Sequence, residues 1–164
     1  MDLERFGGSE QAKGCEFCAV LEGVDEERIP IMGTESATAI ISKKDGHPLI
    51  MPLLHVEGLE RDPISRSAIR SADELADELF PYIEKAYREI YGATGFTKMA
   101  NLGSQQNIPH YHVHWDAYTG SKKEGTSTQI VIPKFEERWT FADAIRRNLD
   151  PQGLAVPTPG PTHW

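Results

Sequence analysis

Residues 110–115 read HYHVHW, and this stretch decides which fold we expect for the chain. Three of the six histidines, His110, His112 and His114, alternate here with large, mostly apolar residues. Side chains on a β-strand alternate between two faces, so a strand would place these imidazoles on one face and their neighbours in the core. A helix would spread the same residues around its circumference. The pattern therefore predicts a strand that carries a row of imidazoles, with about 7 Å between successive rings.

A row of three histidines favours a chemical role over a solvated surface, because imidazole serves in proton transfer, nucleophilic attack and metal binding. Two kinds of site remain open at this point. In the first, the row binds a catalytic zinc ion, with a further ligand from elsewhere closing the tetrahedron. In the second, one imidazole attacks an electrophile while its neighbours orient it or stabilise charge.

The composition argues against several other classes of protein. A chain of 164 residues is long enough for one domain with its own core. Its net charge of -8, from 25 acidic and 17 basic residues, disfavours binding to a nucleic-acid backbone. The sequence contains no apolar run of about 18 residues, so it predicts no membrane span. The polar segment 1–13 lacks the apolar centre of a secretory signal, which makes a cytoplasmic location the expectation.

Several short stretches predict strands. The apolar runs SATAIIS and PLIMPLL flank the turn-rich DGHP at 45–48, which is typical of a hairpin. Pro52 is expected to end the second of these strands, because proline cannot donate a hydrogen bond to the ladder. Further on, FTKMANL and IPHYHVHWDAY alternate in the manner of strands, and TSTQIVI at 126–132 predicts one more.

A long helix is predicted from Ser71 to Tyr91. Ser71 and Glu74 form a capping box, apolar residues recur at steps of three and four, and Gly92 is a fitting stop. Pro81 lies inside this pattern and is expected to kink or divide the helix.

A second, shorter helix is predicted near the C-terminus. It begins near Thr140, where T-x-x-D resembles a cap, and runs towards Asn148. The segment 150–164 is rich in Pro and Gly and is predicted to be irregular.

The two cysteines, Cys15 and Cys18 in GCEFC, leave more than one interpretation open. They are either small buried thiols in a reducing compartment or half of a zinc site that needs two further ligands. A redox pair is disfavoured, because no thioredoxin-like βαβ pattern surrounds it.

Taken together, four motifs resemble those of the histidine triad (HIT) superfamily of nucleotide hydrolases and transferases. HYHVHW matches the family's His-x-His-x-His with apolar spacers. GHPLIMPLLHVEGL at 46–59 is similar to its Gly-His…Pro-x-x-His segment, GCEFC to its N-terminal CxxC, and NLGSQQNIP to its phosphate loop. The motifs stand in the family's order across residues 14–118, which makes the combination more specific than any one of them.

The resemblance implies an α+β fold with an antiparallel sheet of about five strands, one long helix and a short C-terminal helix. It also implies an organisation along the chain: a polar segment at 1–13, a HIT domain at 14–120, a C-terminal extension at 121–149 with a strand and the short helix, and a tail at 150–164. Family members commonly form homodimers through the long helix and a sheet edge, so a homodimer is expected.

The resemblance also implies a catalytic mechanism. His112, the central imidazole, would attack an α-phosphorus of a nucleotide and form a nucleotidyl-histidine, which water then resolves. Neutral imidazole is a good nucleophile near neutral pH, so the assignment is chemically reasonable. His114 would contact the phosphate and assist the leaving group, and His110 completes the catalytic triad. The expected substrate is a nucleoside phosphoramidate, an adenylylated amine or a dinucleoside polyphosphate.

Other residues match positions around the family's substrate. Asn101, Gln106 and Asn107 would donate hydrogen bonds to phosphate oxygens as charge develops. Ser42 lies near the position where the family carries an acidic residue for the ribose, and Asp45 is a substitute for it. After the triad, WDAY at 115–118 replaces the family's usual apolar-Pro run.

The cysteines find a role in the same resemblance. Some bacterial family members bind a structural zinc ion, and the matching residues here are Cys15, Cys18, His55 and His110. Two thiolates and two imidazoles suit tetrahedral zinc, and a closed set of four protein ligands is structural. No cofactor is then required for the chemical step. His47 matches a family position beside Gly46.

Two alternatives from other classes remain. A zinc-dependent hydrolase would use the histidine row itself as ligands, and a non-catalytic nucleotide-binding module would bind without turnover. The expected partners are therefore a nucleotide and a second copy of the chain, with no nucleic acid and no membrane.

Overall fold

The computed structural model describes residues 14–21 and 29–150. The predictions for segment 1–13 and for residues 151–164 lie outside the described residues. Three α-helices, six β-strands and one 3₁₀ turn make up the described part, in this order: α1 Glu16–Leu21, β1 Ile29–Gly33, β2 Ala37–Ile41, β3 Pro48–Pro52, α2 Pro63–Tyr91, β4 Gly95–Met99, the 3₁₀ turn Gly103–Gln105, β5 Val113–Thr119, β6 Thr128–Gln129 and α3 Phe135–Leu149.

The strands form one antiparallel sheet in the order β1-β2-β3-β5-β4, with the short β6 paired to the end of β5. The connection from β3 to β4 contains the long helix α2, and β5 then lies between these two strands. This arrangement confirms the predicted α+β fold, with its sheet of about five strands, one long helix and a C-terminal helix.

The predicted hairpin is present as β2 and β3. The two strands pair from Ala37 opposite Pro52 to Ile41 opposite Pro48, and all of their residues are buried. Pro52 ends the second strand, as predicted. In the turn between the strands, Gly46 adopts a φ of +75°, and a Cβ there would approach the Cβ of Ile132 to 2.6 Å. Glycine is therefore required in this turn both by its conformation and by the close packing of a distant segment.

Strand β1, IPIMG, is a strand that the sequence analysis missed. It carries Pro30, which argues against a central strand. Proline is tolerated because β1 lies at the edge of the sheet, and the pairing with β2 shifts register between Pro30 and Met32.

Helix α2 begins eight residues before the predicted start. Its N-cap is Asp62, whose carboxylate accepts a hydrogen bond from the N–H of Ser65 at 3.0 Å, and Pro63 occupies the first turn. The proposed cap at Ser71 was wrong, because that hydroxyl donates to the carbonyl of Ser67 inside the helix. Pro81 does not divide the helix, which runs without interruption. The predicted stop is confirmed at Gly92, with a φ of +67°.

Three further boundaries differ from the prediction. Regular pairing in β5 begins only at Val113, because the N–H of Tyr111 donates instead to the carbonyl of Val56 at 2.6 Å. The strand predicted at 126–132 is reduced to the two residues of β6. Helix α3 begins at Phe135, so Thr140 is an interior residue that donates to the carbonyl of Glu136.

The two faces of the sheet have different partners. Helices α2 and α3 cover one face and form the main core, to which Tyr111, Val113 and Trp115 belong. The short helix α1 lies on the other face, in a smaller cluster with Leu49 and Met51. The predicted alternation along HYHVHW is thereby confirmed for the apolar residues. The histidines face the side of α1.

Within 14–21 and 29–150, no helix combines the length and the apolar character that crossing a membrane requires.

Candidate active site and metal cluster

A cleft of about 520 Å³ opens on the α1 face of the sheet. Its walls combine apolar side chains from α1 and the hairpin with polar side chains from the hairpin turn, the phosphate-loop segment and β5. The lining residues are Glu16, Phe17, Val20, Ile40, Ile41, Ser42, Lys43, Lys44, Asp45, His47, Leu49, Asn101, Asn107, Ile108, His112 and His114. An apolar surface beside cationic and imidazole groups suits a ligand that has both a flat apolar part and an anionic part.

The three histidines of the row divide between two sites. His112 and His114 line the cleft, and their rings are stacked with centroids 6.1 Å apart. His110 is fully buried, and its ring lies among the cysteines. Since Nε2 of His110 is also occupied by the carbonyl of Pro52, the three rings do not converge on one ion. This geometry argues against a zinc hydrolase that uses the whole row as ligands.

The tautomer of His112 follows from its contact with the backbone. Its Nδ1 lies 2.9 Å from the carbonyl oxygen of His110, and because a carbonyl can only accept, Nδ1 must donate. Nε2 then carries the lone pair. The edge of Phe17 packs on the ring, with centroids 4.9 Å apart. Burial lowers the pKa of His112 and outweighs the hydrogen bond to His110, which favours the charged ring. His112 is therefore neutral and oriented, with its lone pair on Nε2.

The four predicted metal ligands lie together as a cluster of Cys15, Cys18, His55 and His110, and their ligand atoms are all within 4.8 Å of one another. Sγ of Cys18 lies 3.2 Å from Nδ1 of His55 and 3.5 Å from Nδ1 of His110, and Sγ of Cys15 lies 3.6 Å from the latter. Around a tetrahedral zinc ion, sulfur and nitrogen ligands are separated by roughly 3.5 Å. The donor set and its spacing therefore fit this ion.

The surroundings of the cluster favour metal binding as well. Nε2 of His110 donates to the carbonyl of Pro52 at 2.9 Å, so Nδ1 presents its lone pair to the cysteines. A hydrogen bond of this kind commonly orients a metal-ligating imidazole. The hydrogen bond with Cys18 is the largest influence on the pKa of Cys15, which falls to about 3 against the opposing effect of burial. A thiolate is the form of cysteine that binds metal.

The remaining predicted substrate residues are only partly brought together. Asn101, Asn107 and Ser42 line the cleft. The hydroxyl of Ser42 accepts from the backbone N–H groups of the turn that follows it, so it organises this turn. Gln106 does not line the cleft, because its side-chain amide donates to the carbonyl of Glu57 at 2.5 Å.

Comparisons with known proteins agree with this geometry. No protein-family profile matches the sequence, and no curated protein matches it significantly. Many solved structures are similar, and among them are histidine triad proteins. A zinc-bound histidine triad family protein from Mycobacterium smegmatis aligns with a TM-score of 0.58 at 24% identity, over 85% of this chain and 98% of the other. The chain has the histidine triad fold.

Two other structures with the histidine triad fold extend the comparison. A histidine triad nucleotide-binding protein from Candida albicans aligns with a TM-score of 0.53 at 17% identity, covering 83% of this chain and 97% of that one. Diadenosine triphosphate hydrolase from Plasmodium falciparum, solved with cyclomarin A, aligns with a TM-score of 0.50 at 16% identity. The alignment covers 77% of this chain and 78% of that one. The resemblance stated from the motifs is thus confirmed at the level of the fold.

On this histidine triad fold, the sequence analysis overlooked a buried carboxylate of the site. Asp116 is buried, and its carboxylate lies 3.2 Å from Nδ1 of His114 and 3.5 Å from Nδ1 of His47. Burial would raise the pKa of Asp116, but the close contact with His114 and the charges of His114 and His47 lower it overall. A signal was available in the sequence, because Asp116 follows His114 by two and so continues the alternation of the histidine row.

Two exposed lysines at the cleft were also missed. Lys43 and Lys44 lie in the turn after β2 and line the opening. They place positive charge beside the imidazoles of a chain whose net charge is -8. Such a local concentration of positive charge suits an anionic ligand.

Proposed function

We propose that this protein cleaves nucleotides at the α-phosphorus through a covalent nucleotidyl-histidine on His112. The observation that carries the proposal is the 2.9 Å contact between Nδ1 of His112 and the carbonyl of His110. It leaves the Nε2 lone pair of a neutral ring available in a cleft of about 520 Å³. An imidazole that is neutral and oriented in this way needs no further activation to attack phosphorus.

The reaction proceeds in two steps. In the first, Nε2 of His112 forms a bond to the α-phosphorus, the P–N or P–O bond to the leaving group breaks, and the leaving group takes a proton from Nε2 of His114. In the second, water attacks the same phosphorus, the N–P bond breaks, and the proton lost by water returns to His114. Transfer to an acceptor other than water follows the same course. Each step exchanges one bond at phosphorus for another.

The cleft supplies contacts for both halves of a nucleotide. The side-chain amides of Asn101 and Asn107 are placed to donate to phosphate oxygens, and the lysines of the β2–β3 turn add positive charge. Apolar side chains such as Val20 and Ile40 offer a surface for the base, and Ser42 and Asp45 offer partners for the ribose hydroxyls. Nucleoside phosphoramidates, adenylylated amines and dinucleoside polyphosphates are the substrate classes that this set serves.

Zinc would be held by Cys15, Cys18, His55 and His110, and it would supply a structural cross-link between α1 and the segment before β5. Its contribution to catalysis is indirect. The ring of His110 would be fixed, and with it the carbonyl group that orients His112. The chemical step itself uses only the imidazoles.

A homodimer is part of the same proposal, and its support is the open edge of the sheet at β4. This strand pairs only with β5 among the described strands, and Met99 at its end is 44% exposed. Light scattering is expected to give twice the chain mass of 18.3 kDa. Met99→Asp should shift the mass towards one chain, whereas Val131→Asp, at an exposed site away from this edge, should not. A single-chain mass for the natural sequence would contradict the dimer.

The decisive experiment tests for the covalent intermediate. The protein is mixed with adenosine phosphoramidate, an aminoacyl adenylate analogue and diadenosine triphosphate, and quenched samples are weighed by intact mass spectrometry. An AMP adduct is expected that is absent in His112→Ala and retained in Gln105→Ala, an exposed side chain outside the cleft. Circular dichroism confirms that both variants fold. Nucleotide binding without turnover in the natural protein would identify a binding module instead, and unchanged turnover in His112→Ala would exclude the mechanism.

A further inference from the structure

Besides the cysteine cluster, the described part of the chain contains a second group of side chains of the types that bind metal ions. The carboxylate of Asp116 on β5 contacts the imidazoles of both His47 and His114, and one ligand atom from each residue falls within 4.8 Å of the others. No cysteine takes part. The group adjoins the cleft, because His47 and His114 both line it.

The separations within this group match those around one ion. The Asp116 carboxylate oxygens lie 3.5 Å from Nδ1 of His47 and 3.2 Å from Nδ1 of His114. Nitrogen and oxygen ligands about 2.1 Å from a tetrahedral metal ion are separated by roughly 3.3 Å. The rings of the two histidines lie 4.8 Å apart and are tilted by 31°, which leaves both Nδ1 atoms close to the same carboxylate.

Burial provides an independent observation. Side-chain exposure is 14% for His47, 12% for His114 and 8% for Asp116. Nδ1 of each histidine and Oδ1 of the aspartate are buried polar atoms that make no well-formed hydrogen bond. Buried polar groups are nearly always satisfied, and a group without a hydrogen bond calls for a partner such as an ion. Because these three atoms lie beside one another, one bound ion would contact all of them.

We propose that His47, His114 and Asp116 form a divalent-cation site in the wall of the cleft, separate from the cysteine cluster. Two imidazoles and one carboxylate form a ligand set that suits ions such as Zn²⁺, Fe²⁺ or Mn²⁺. Ca²⁺ is disfavoured, because it prefers oxygen ligands. Three protein ligands leave at least one coordination position open, unlike the closed set of the cysteine cluster.

The ion would be adjacent to the place where a nucleotide's phosphates bind. With two neutral imidazoles and one carboxylate, a divalent ion leaves a net charge of +1 at the site, and phosphate oxygens are suitable ligands for its open position. His112 is not a ligand, so its Nε2 remains available. The proposal does not depend on nucleotide hydrolysis, because the cation is expected to bind whether or not the cleft catalyses that reaction.

The test measures cobalt(II) binding to the full-length chain, with the metal alone as the probe. The protein is dialysed against a chelator and then against cobalt, and bound metal is counted by atomic emission. Two ions per chain are expected. One ion at the cysteine cluster gives an intense thiolate charge-transfer band, and the other gives only weak visible bands from nitrogen and oxygen ligands.

Variants assign the second ion. Asp116→Ala and His47→Ala should each reduce the count from two ions to one while leaving the thiolate band unchanged. Asp45→Ala is the matched control, because this carboxylate lies 3.8 Å from His47 but outside the group, and it should still bind two ions. If Asp116→Ala fails to fold by circular dichroism, Asp116→Asn and His47→Gln replace the alanine variants.

An equal cobalt count in the natural protein and in all three variants would overturn the proposal. The three residues would then share protons, with the carboxylate accepting hydrogen bonds from the two imidazoles. A loss of one bound ion in the Asp116 and His47 variants alone would support it.

Discussion

The carbonyl oxygen of His110 lies 2.9 Å from Nδ1 of His112, although the side chain of His110 belongs to a different site. Its ring contacts both cysteines and donates to the carbonyl of Pro52. His110 therefore connects the cysteine cluster, through its side chain, to the proposed nucleophile His112, through its backbone. This connection implies that changes at the cluster will affect both stability and chemistry.

Removing the metal should destabilise the fold. Zinc bound at the cluster would join α1 to the segment before β5, and it would stabilise the folded chain by about 4 kcal/mol when its free concentration is about 1,000 times Kd. A chelator should lower the Tm in thermal unfolding, and added zinc should restore it. Cys18→Ser serves as the control, since its Tm should respond weakly to both reagents. A natural protein whose Tm is insensitive to chelator and zinc would count against a structural zinc ion.

Two ligand variants should differ in their effect on catalysis. His55→Ala and His110→Ala each remove one metal ligand, but only the second also removes the hydrogen bond to Pro52 that anchors the backbone beside His112. Loss of a residue that orients a reactive group commonly costs about 10- to 100-fold. With metal content matched by chelation, kcat should therefore fall further in His110→Ala than in His55→Ala. Equal kcat values would show that the ring does not position the nucleophile.

Helix α3 should prove part of the main core. Phe141 is fully buried, and its ring lies 4.4 Å from that of Tyr87 on α2, centroid to centroid. Truncating a buried aromatic side chain costs about 3–5 kcal/mol, so Phe141→Ala should lower the free energy of unfolding by this amount in chemical denaturation. Val131→Ala, at a side chain that is 47% exposed, should change it by less than about 0.5 kcal/mol. Separate unfolding of α3, with the rest intact, would contradict a shared core.

Acid should weaken the segment that leads into α2. The carboxylate of Glu60 accepts hydrogen bonds from the N–H groups of Glu57 and Gly58, each at 2.7 Å. Partial burial would raise the pKa of Glu60, but these bonds lower it below its ordinary 4.5. A carboxyl group with a depressed folded-state pKa contributes stability that is present above its unfolded pKa and lost as the pH falls through the folded one.

The Tm of the natural protein should therefore fall as the pH is lowered from about 5 to about 3. Glu60→Gln should have a lower Tm than the natural protein near neutral pH. Its Tm should fall less on acidification, because the stabilising contribution of the Glu60 carboxylate is already absent. Glu124→Gln, at an exposed position, provides the comparison and should follow the natural curve. An identical acid dependence in Glu60→Gln and the natural protein would refute the assignment.

Part of the fold could be read from short stretches of sequence. The alternation in HYHVHW placed Tyr111, Val113 and Trp115 in the core, and Gly92 marked the end of α2. These features depend on neighbours within a few residues, where strand and helix periodicity and the conformational freedom of glycine decide the outcome. The start of α2 was missed, although Asp62 followed by Pro63 carries a local signal of its own.

Identifying the candidate sites required both the sequence motifs and the tertiary structure. The motifs named Cys15, Cys18, His55 and His110 through resemblance, and only the fold brought their ligand atoms within 4.8 Å. Gln106 matched the phosphate-loop motif equally well, yet its side chain turns to the carbonyl of Glu57, 49 positions earlier. A motif specifies residue types, whereas the partner of a long polar side chain depends on which distant backbone group lies within reach.

The sequence by itself determined that three imidazoles share one side of an extended segment, because side-chain alternation is a property of the local backbone. Only the tertiary structure decided that this row serves two sites and that Asp116 extends it towards His47. His47 lies 69 positions before Asp116, and the two side chains meet because β3 pairs with β5 in a register that sets Leu49 opposite His114. Strand register depends on how the whole sheet packs against its helices, and no local pattern contains that information.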